Sequence, residues 1–335
     1  MPRIALWDNA RLVLMVLVIF GHSLEGIRSP GSAATAVYDV VYAFHMPAFL
    51  LISGWFTRAE PLDRRALRGT IELLITWLMA EAVWVGIRAL LGRAVVVPGS
   101  FLVTPSWTLW FLVTLVAMRV VLPYLAMLRF PLITSIVVAL AAGLSPMIGT
   151  QFSASRTLAL LPFFVLGWRL RQTRVGDAAW FAAPSVLLRL AAAAALAGGA
   201  AAVLLLIRLP VFTNQLLFWR RGYAEMGLGD RTGILLRALM LAIGIVMVVA
   251  LLILTPRRSF RLSALGRNTL PVYLLHAPLV MLARKVNLDD AIGALPIALP
   301  ILLAIAMVLV PVLASRPAVA LARPLTDPMG LLRLR

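Results

Sequence analysis

The chain has no cysteine and few charged residues, and both shortages exclude whole classes of function. Without a thiol it can form no disulfide, no thiolate metal site and no cysteine nucleophile. Charged residues make up only 13% of the 335 residues, which is about half of the usual share in soluble globular proteins. The sequence also lacks a P-loop, a dinucleotide-binding glycine pattern and the histidine spacing of zinc sites. We therefore expect no bound metal.

Long apolar runs take the place of these features. The chain is 62% hydrophobic, its mean hydropathy is +0.98, and several runs are long enough to cross a bilayer. We predict an all-α polytopic membrane protein with about ten transmembrane helices, forming a single membrane-embedded domain over residues 1–335. The predicted spans are 9–27, 34–56, 71–91, 106–127, 131–149, 157–171, 186–208, 233–255, 268–286 and 293–315.

The basic residues fall mainly in alternate loops. With the N-terminus inside, the cytoplasmic segments hold about twice as many Arg and Lys residues as the opposite loops, which predicts that both termini are cytoplasmic. An even number of spans agrees with this orientation. This distribution indicates that the net charge of +18 reflects membrane topology. We therefore expect membrane lipids, and not nucleic acid, as partners. The expected location is an inner (plasma) membrane of bacterial type.

The longest predicted outer connection is 209–232, which mixes aromatic, basic and acidic residues. Two interpretations are open. It is either an interfacial helix anchored by Trp219 and nearby arginines, or a lid that contacts a sugar.

Arg11 and His22 are the most informative pair in the sequence. The step of eleven residues from one to the other turns an α-helix to within about 20° of whole turns, so both side chains project from one face, about 16 Å apart along the axis. If Arg11 lies at the membrane edge, His22 lies near the midplane. An ionisable group at that depth is costly and is a functional candidate. Asp8, three residues before Arg11, is placed to orient its guanidinium.

Three further polar residues fall at a similar depth on other predicted spans. They are His45, His276 and Glu81, on spans 2, 9 and 3. A shared depth favours a common site over separate structural accidents. The structural alternatives stay open, because a histidine can hydrogen-bond a carbonyl that a proline leaves free, and Glu81 can pair with Arg88.

A compact basic cluster occupies the predicted inner loop 62–68, which contains Arg64, Arg65 and Arg68. The positive-inside rule and attraction to anionic lipid suffice to explain it. The functional alternative is a clamp for a phosphorylated donor, because planar guanidinium groups match phosphate oxygens. Arg11 emerges on the same predicted side and is able to join that clamp.

Five sequence motifs follow one another along the chain. They are Arg11-x10-His22, Phe44-His45-Met46-Pro47 with Ser53-Gly54-Trp55, Arg65-x-x-Arg68, Trp107-x-x-Trp110-Phe111 and Asn268-Thr269-Leu270-Pro271-Val272-Tyr273-Leu274-Leu275-His276. Together they resemble the integral-membrane acyltransferase-3 family, and the second motif is similar to its fucose 4-O-acetylase-like branch. Members of this family O-acylate sugars and other acceptors with acyl-CoA.

The resemblance implies a membrane O-acyltransferase that moves an acetyl group from acetyl-CoA to a hydroxyl of a cell-envelope glycan or glycolipid. Arg11, Arg65 and Arg68 are then expected to hold the phosphates of the donor. His22 is the predicted general base, with a transient acyl-imidazole as an alternative chemistry on the same residue.

Four other residues complete the predicted site. His45 or His276 donates a hydrogen bond to the developing oxyanion, Asp8 holds Arg11, and Glu81 binds a sugar hydroxyl or relays a proton. The alternative function is a transporter or flippase of a lipid-linked sugar, since transporters also place polar groups at the midplane on helices interrupted by proline.

Overall fold

The structure, a computed structural model, describes residues 5–60, 64–90 and 100–331, and every regular element in these ranges is a helix. The α-helices are α1 (Ala5–Leu24), α2 (Ala33–Phe56), α3 (Arg64–Leu90), α4 (Ser100–Val103), α5 (Trp110–Ala126), α6 (Pro131–Ala141), α7 (Ala154–Gln172), α8 (Ala179–Ala182), α9 (Val186–Leu206), α10 (Gln215–Phe218), α11 (Asp230–Leu254), α12 (Thr269–Lys285), α13 (Leu288–Gly293), α14 (Ala298–Leu313), α15 (Arg316–Thr326) and α16 (Pro328–Leu331). Short 3-10 turns lie at Gln151–Ser153, Val175–Asp177, Ala224–Met226 and Arg261–Arg267.

Each of the ten predicted spans corresponds to a helix, which agrees with an all-α membrane protein, but the helices differ in length from the prediction. The number of spans stays a prediction. Five described helices are long and apolar enough to cross a membrane: α1, α2, α3, α9 and α11. A sixth is added if α14 and α15, bent by 72° at their junction, count as one span. Helices α5 and α6 are apolar but shorter. Helix α7 is 19 residues long but carries Arg156, Arg169 and Arg171.

The bounds of α1 change the expected depth of His22. The helix ends at Leu24, whereas the predicted span ran to residue 27, so His22 lies in the last turn and not near the middle. Residues 25–27 form a turn after it.

The described residues form two compact units that alternate along the chain. The first comprises Met1–Phe49, Gly176–Leu209 and Ile243–Arg323, and the second comprises Leu50–Val175, Pro210–Ala242 and Pro324–Arg335.

In the first unit, α1 packs against α12, α14 and the 3-10 turn at Arg261–Arg267. Apolar side chains on these helices are fully buried, among them Leu14 and Ile19 on α1 and Ala306 on α14.

In the second unit, α7 packs against α5 and α6, and glycines bring two backbones into direct contact. A Cβ atom at Gly54 would lie 1.9 Å from the carbonyl oxygen of Phe164, and one at Gly167 would lie 1.9 Å from that of Leu51. The Ser53-Gly54-Trp55 motif therefore has a packing role where the last turns of α2 meet α7.

The connection 209–232 is not an interfacial helix, so that interpretation was wrong. Among its described residues before α11 begins at Asp230, the only α-helix is the four-residue α10, and Trp219 is 3% exposed. Tyr223 is fully buried and donates its hydroxyl to the Leu140 carbonyl at 2.7 Å. The aromatic side chains turn inward within the second unit, so they do not anchor a surface helix. The sugar-lid interpretation stays a prediction.

Candidate active site

The three histidines lie in the first unit. His22 is in the last turn of α1, while His45 and His276 are near the middles of α2 and α12. The rings of His22 and His276 stack with centroids 5.5 Å apart and planes inclined by 30°. Tyr42 joins the third histidine to this pair, since its ring centroid is 6.2 Å from that of His22 and 4.8 Å from that of His45.

A carboxylate that the sequence analysis missed, Glu25, holds His22. Its Oε1 lies 2.9 Å from Nδ1 of His22 and accepts the Tyr42 hydroxyl at 2.6 Å. Its Oε2 accepts from Nη2 of Arg284 at 3.1 Å, and the same Nη2 donates to the His22 carbonyl at 2.6 Å. Arg284 therefore ties α12 to the end of α1, next to the histidine.

Glu25 follows α1, and its hydrogen-bond and charge partners stabilise its ionised form. Burial raises its pKa, but hydrogen bonds from His22 and Tyr42 and the charges of His22 and Arg284 outweigh burial and lower the pKa to about 2. A carboxylate only accepts hydrogen bonds, so Nδ1 of His22 carries a proton, and in the neutral ring Nε2 is then the acceptor. This is the tautomer that a general base needs, held as in a histidine–carboxylate dyad.

The other two histidines are fixed in the same tautomer by their own helices. Nδ1 of His45 donates to the Val41 carbonyl at 2.7 Å, and Nδ1 of His276 donates to the Val272 carbonyl at 3.2 Å. In a neutral ring the other nitrogen, Nε2, is then an acceptor. This geometry argues against the predicted role of His45 or His276 as an oxyanion donor. Nε2 of His276 is buried and has no hydrogen-bond partner in the described chain.

An aromatic stack supports Tyr42. The rings of Tyr38 and Tyr42 lie 3.8 Å apart at 24°, and the guanidinium of Arg28 lies 3.8 Å above the Tyr38 ring. These contacts hold the Tyr42 hydroxyl against Glu25. The signals for these residues were local: Glu25 is three residues after His22, and Tyr38, Tyr42 and His45 share one face of α2 by their spacing.

Asp8 and Arg11 lie at the other end of α1. The Asp8 carboxylate is 3.9 Å from the Arg11 guanidinium, with 10% and 24% of the side chains exposed. Since Arg11 and His22 belong to one continuous helix, they keep the predicted separation of about 16 Å along its axis.

Glu81 belongs to the second unit, where it is fully buried in α3. Its Oε1 accepts from Nε1 of Trp77 at 3.1 Å and from the Ser106 N–H at 2.7 Å. These bonds hold the segment that precedes α5, which gives Glu81 a structural task. Its predicted contact with a sugar hydroxyl stays a prediction.

Part of the predicted phosphate clamp lies outside the described residues. Residues 61–63 and the side chain of Arg65 are in this group, although the Arg65 backbone belongs to α3. Arg68 pairs with Glu72 one turn later at 3.1 Å, and 48% and 34% of the two side chains are exposed. This is an ordinary i,i+4 pair on a helix surface.

Comparisons with known proteins agree with this architecture. The chain is 30% identical over 95 residues to the nodulation protein NolL of Mesorhizobium japonicum, which covers 28% of this chain and 26% of that protein. No solved structure matches. The acyltransferase-3 family, described as an acyltransferase domain, matches residues 4–316. Since that match covers nearly the whole chain, the protein belongs to this family of membrane acyltransferases.

Proposed function

We propose that the protein is an O-acyltransferase that moves an acyl group, acetyl in the first instance, from acyl-CoA to a hydroxyl of a cell-envelope glycan or glycolipid. The observation that carries the proposal is the contact between His22 and Glu25, in which a carboxylate fixes the imidazole in the tautomer of a general base. The family match favours transfer over the transport of a lipid-linked sugar.

The proposed reaction uses one proton transfer in each direction. Nε2 of His22 removes the proton of the acceptor hydroxyl as its oxygen bonds to the thioester carbonyl carbon. Glu25 stabilises the imidazolium that forms, and Arg284 holds Glu25 in place. The carbon–sulfur bond then breaks, and the proton passes from His22 to the departing thiolate, which leaves as the free thiol.

His45 and His276 take a different part in this proposal from the one that the sequence suggested. Their Nε2 atoms accept hydrogen bonds, so they bind and orient protons of the acceptor or of the amides in the donor arm. Tyr42 keeps Glu25 in position through its hydroxyl. The acyl-imidazole route on His22 remains the alternative chemistry.

The acyl donor is proposed to lie along α1. Arg11 is proposed to bind its phosphates, with Asp8 orienting Arg11. Phosphate binding by Arg65 and Arg68 stays a prediction. The thioester arm then runs beside α1 toward His22, about 16 Å further on. The proposed topology has about ten spans with both termini in the cytoplasm of a bacterial-type cell.

The acceptor class is supported by two likenesses. The Phe44-His45-Met46-Pro47 segment is similar to the fucose 4-O-acetylase-like branch, and the partial relative is a nodulation protein. A hydroxylated cell-envelope glycan or its lipid-linked precursor suits both.

The test is transfer of labelled acetyl from acetyl-CoA by the purified full chain in detergent. We expect donor consumption, with loss of activity in His22→Ala at an unchanged elution volume, which reports that the variant still folds. Movement of a lipid-linked sugar across a vesicle membrane without consumption of acyl-CoA would support the transporter instead.

A further inference from the structure

An arginine-rich loop lies against the first turns of α1. Residues 256–267, which we call the pinned loop, carry Arg258, Arg261 and Arg267, and all three are exposed. The loop ends in the 3-10 turn at Arg261–Arg267, which packs on α1 within the first unit. The reaction proposed above does not use these three cations.

One buried amide holds the pinned loop in place. Asn9 is 1% exposed, and its Nδ2 donates to the carbonyls of Pro256 at 2.8 Å and Arg258 at 3.1 Å. Its Oδ1 accepts the Ser263 hydroxyl at 2.6 Å, and that hydroxyl accepts from the Phe260 N–H at 2.9 Å. The arginines therefore project from a backbone that is ordered in advance, which lowers the entropic cost of binding a ligand.

The pinned loop meets α1 beside Arg11. A Cβ atom at Gly266 would lie 1.9 Å from the Asp8 carbonyl oxygen, so the two backbones touch at a position that only glycine allows. Arg267 follows Gly266 directly, and Arg11 lies three residues after Asp8. Asp8 itself is 7% exposed. The surface at this end of α1 therefore presents mainly guanidinium groups.

We propose that the pinned loop and Arg11 form a phosphate-binding surface for the 3′-phosphate and diphosphate of the acyl donor. This proposal rests on the acyl-CoA-dependent function proposed above and adds the residues of the first unit that bind the phosphates. Coenzyme A carries more negative charge than Arg11 alone neutralises, and guanidinium groups bind phosphate oxygens in pairs. The two ends of α1 then hold the two ends of the donor.

Anionic lipid headgroups offer the same phosphate chemistry. Phe260 and Leu262, on the same loop, are 43% and 51% exposed, as expected where a loop meets a membrane surface. The composition of the membrane therefore has to be varied in the test.

The test is the affinity of the full chain, in phosphatidylcholine nanodiscs, for coenzyme A, 3′-dephospho-coenzyme A and pantetheine, measured by calorimetry. We expect Arg267→Gln to weaken binding of coenzyme A about 10-fold, the size of one charge-assisted contact. Binding of pantetheine, which has no phosphate, is expected to be unchanged. Arg208→Gln is the matched control, because Arg208 is also an exposed arginine of the first unit but follows α9.

Three results would overturn the proposal. They are an unchanged affinity of Arg267→Gln for coenzyme A, an equal loss for coenzyme A and pantetheine, and an effect that appears only when phosphatidylglycerol is added. A different result separates the two proposals. If wild type transfers no acyl group but binds coenzyme A more tightly than Arg267→Gln does, the proposed function is contradicted and the phosphate-binding surface is supported.

Discussion

Two buried polar clusters, one in each unit, are bonded in different ways. In the first, Glu25, His22 and Arg284 are bound to one another, so acid, base and cation form one network. In the second, Arg237 is 2% exposed and donates to the carbonyls of Ala139 and Arg221, with its guanidinium 4.6 Å from the Tyr223 ring.

This contrast distinguishes side chains that are able to react from side chains that hold the fold together. A side chain that bonds backbone carbonyls fixes the path of the chain, while side chains that share protons with one another are able to react. We therefore expect substitutions in the network of the first unit to change catalysis, and substitutions of buried polar groups in the second unit to change stability. The following variants test that division.

The largest effect is expected for His22→Gln. Removing the general base should lower kcat about 1,000-fold, within the range for acid–base catalysis. The matched control is Ser23→Ala, because Ser23 donates only to the Ile19 carbonyl of its own helix. Acetyl transfer by the purified proteins gives the comparison, and an activity within a few-fold of wild type in His22→Gln would remove the base from the mechanism.

Glu25→Gln should lower kcat about 100-fold, because the imidazolium loses its counter-charge. It should also lower stability at neutral pH. The pKa of Glu25 is lowered from 4.5 to about 2, so its stabilisation is present above pH 4.5 and is lost as the pH falls toward 2. The shift corresponds to about 3 kcal/mol.

Melting temperatures of wild type and Glu25→Gln between pH 7 and pH 2.5 measure this contribution. The gap between the two proteins should be widest at neutral pH and should narrow in acid. A gap that does not depend on pH would show that the Glu25 carboxylate is not paired as described.

Gly54→Ala should destabilise the second unit without changing the reaction. The added methyl group would meet the Phe164 carbonyl at 1.9 Å, so the backbones must separate, at a cost of about 2 kcal/mol. Gly86→Ala in α3 is the control, because no atom lies within 4 Å of its added Cβ. Thermal unfolding in detergent should rank Gly54→Ala below wild type and Gly86→Ala at or above it.

The smallest effects compare two tyrosines. Tyr42→Phe removes a hydroxyl that binds the Glu25 carboxylate, and Tyr223→Phe removes one that binds the Leu140 carbonyl. We expect about a 10-fold loss of kcat in the first, by analogy with other positioning contacts, and about 1 kcal/mol of stability in the second. Equal effects of both variants on kcat and on melting temperature would erase the proposed distinction between the units.

Sequence periodicity predicted the helices well because long apolar segments in a bilayer have few alternatives to the helix. It predicted less about where helices end, as α1 ends at Leu24 and not at the predicted residue 27. The sequence predicted that Arg11 and His22 share one helix face, because both lie on one continuous helix. The partners of His22 were harder to find, since Arg284 lies 262 residues away along the chain.

The histidine tautomers and the attachment of the pinned loop to α1 were also not predictable from the sequence. The acceptor nitrogens of His45 and His276 follow from bonds to carbonyls four residues earlier, which depend on side-chain rotation. The attachment of residues 256–263 to Asn9 joins positions almost 250 residues apart. Nothing in the local composition of either segment indicates that contact.

The tautomers of His45 and His276 have a consequence for the acceptor in the proposed reaction. Each ring donates its N–H to a carbonyl of its own helix, so a neutral ring has no second proton to offer. We expect an alcohol to supply the missing hydrogens, whereas its methyl ether would leave the ring nitrogens desolvated and unpaired. The proposed site is therefore expected to distinguish the two molecules by hydrogen bonding as well as by shape.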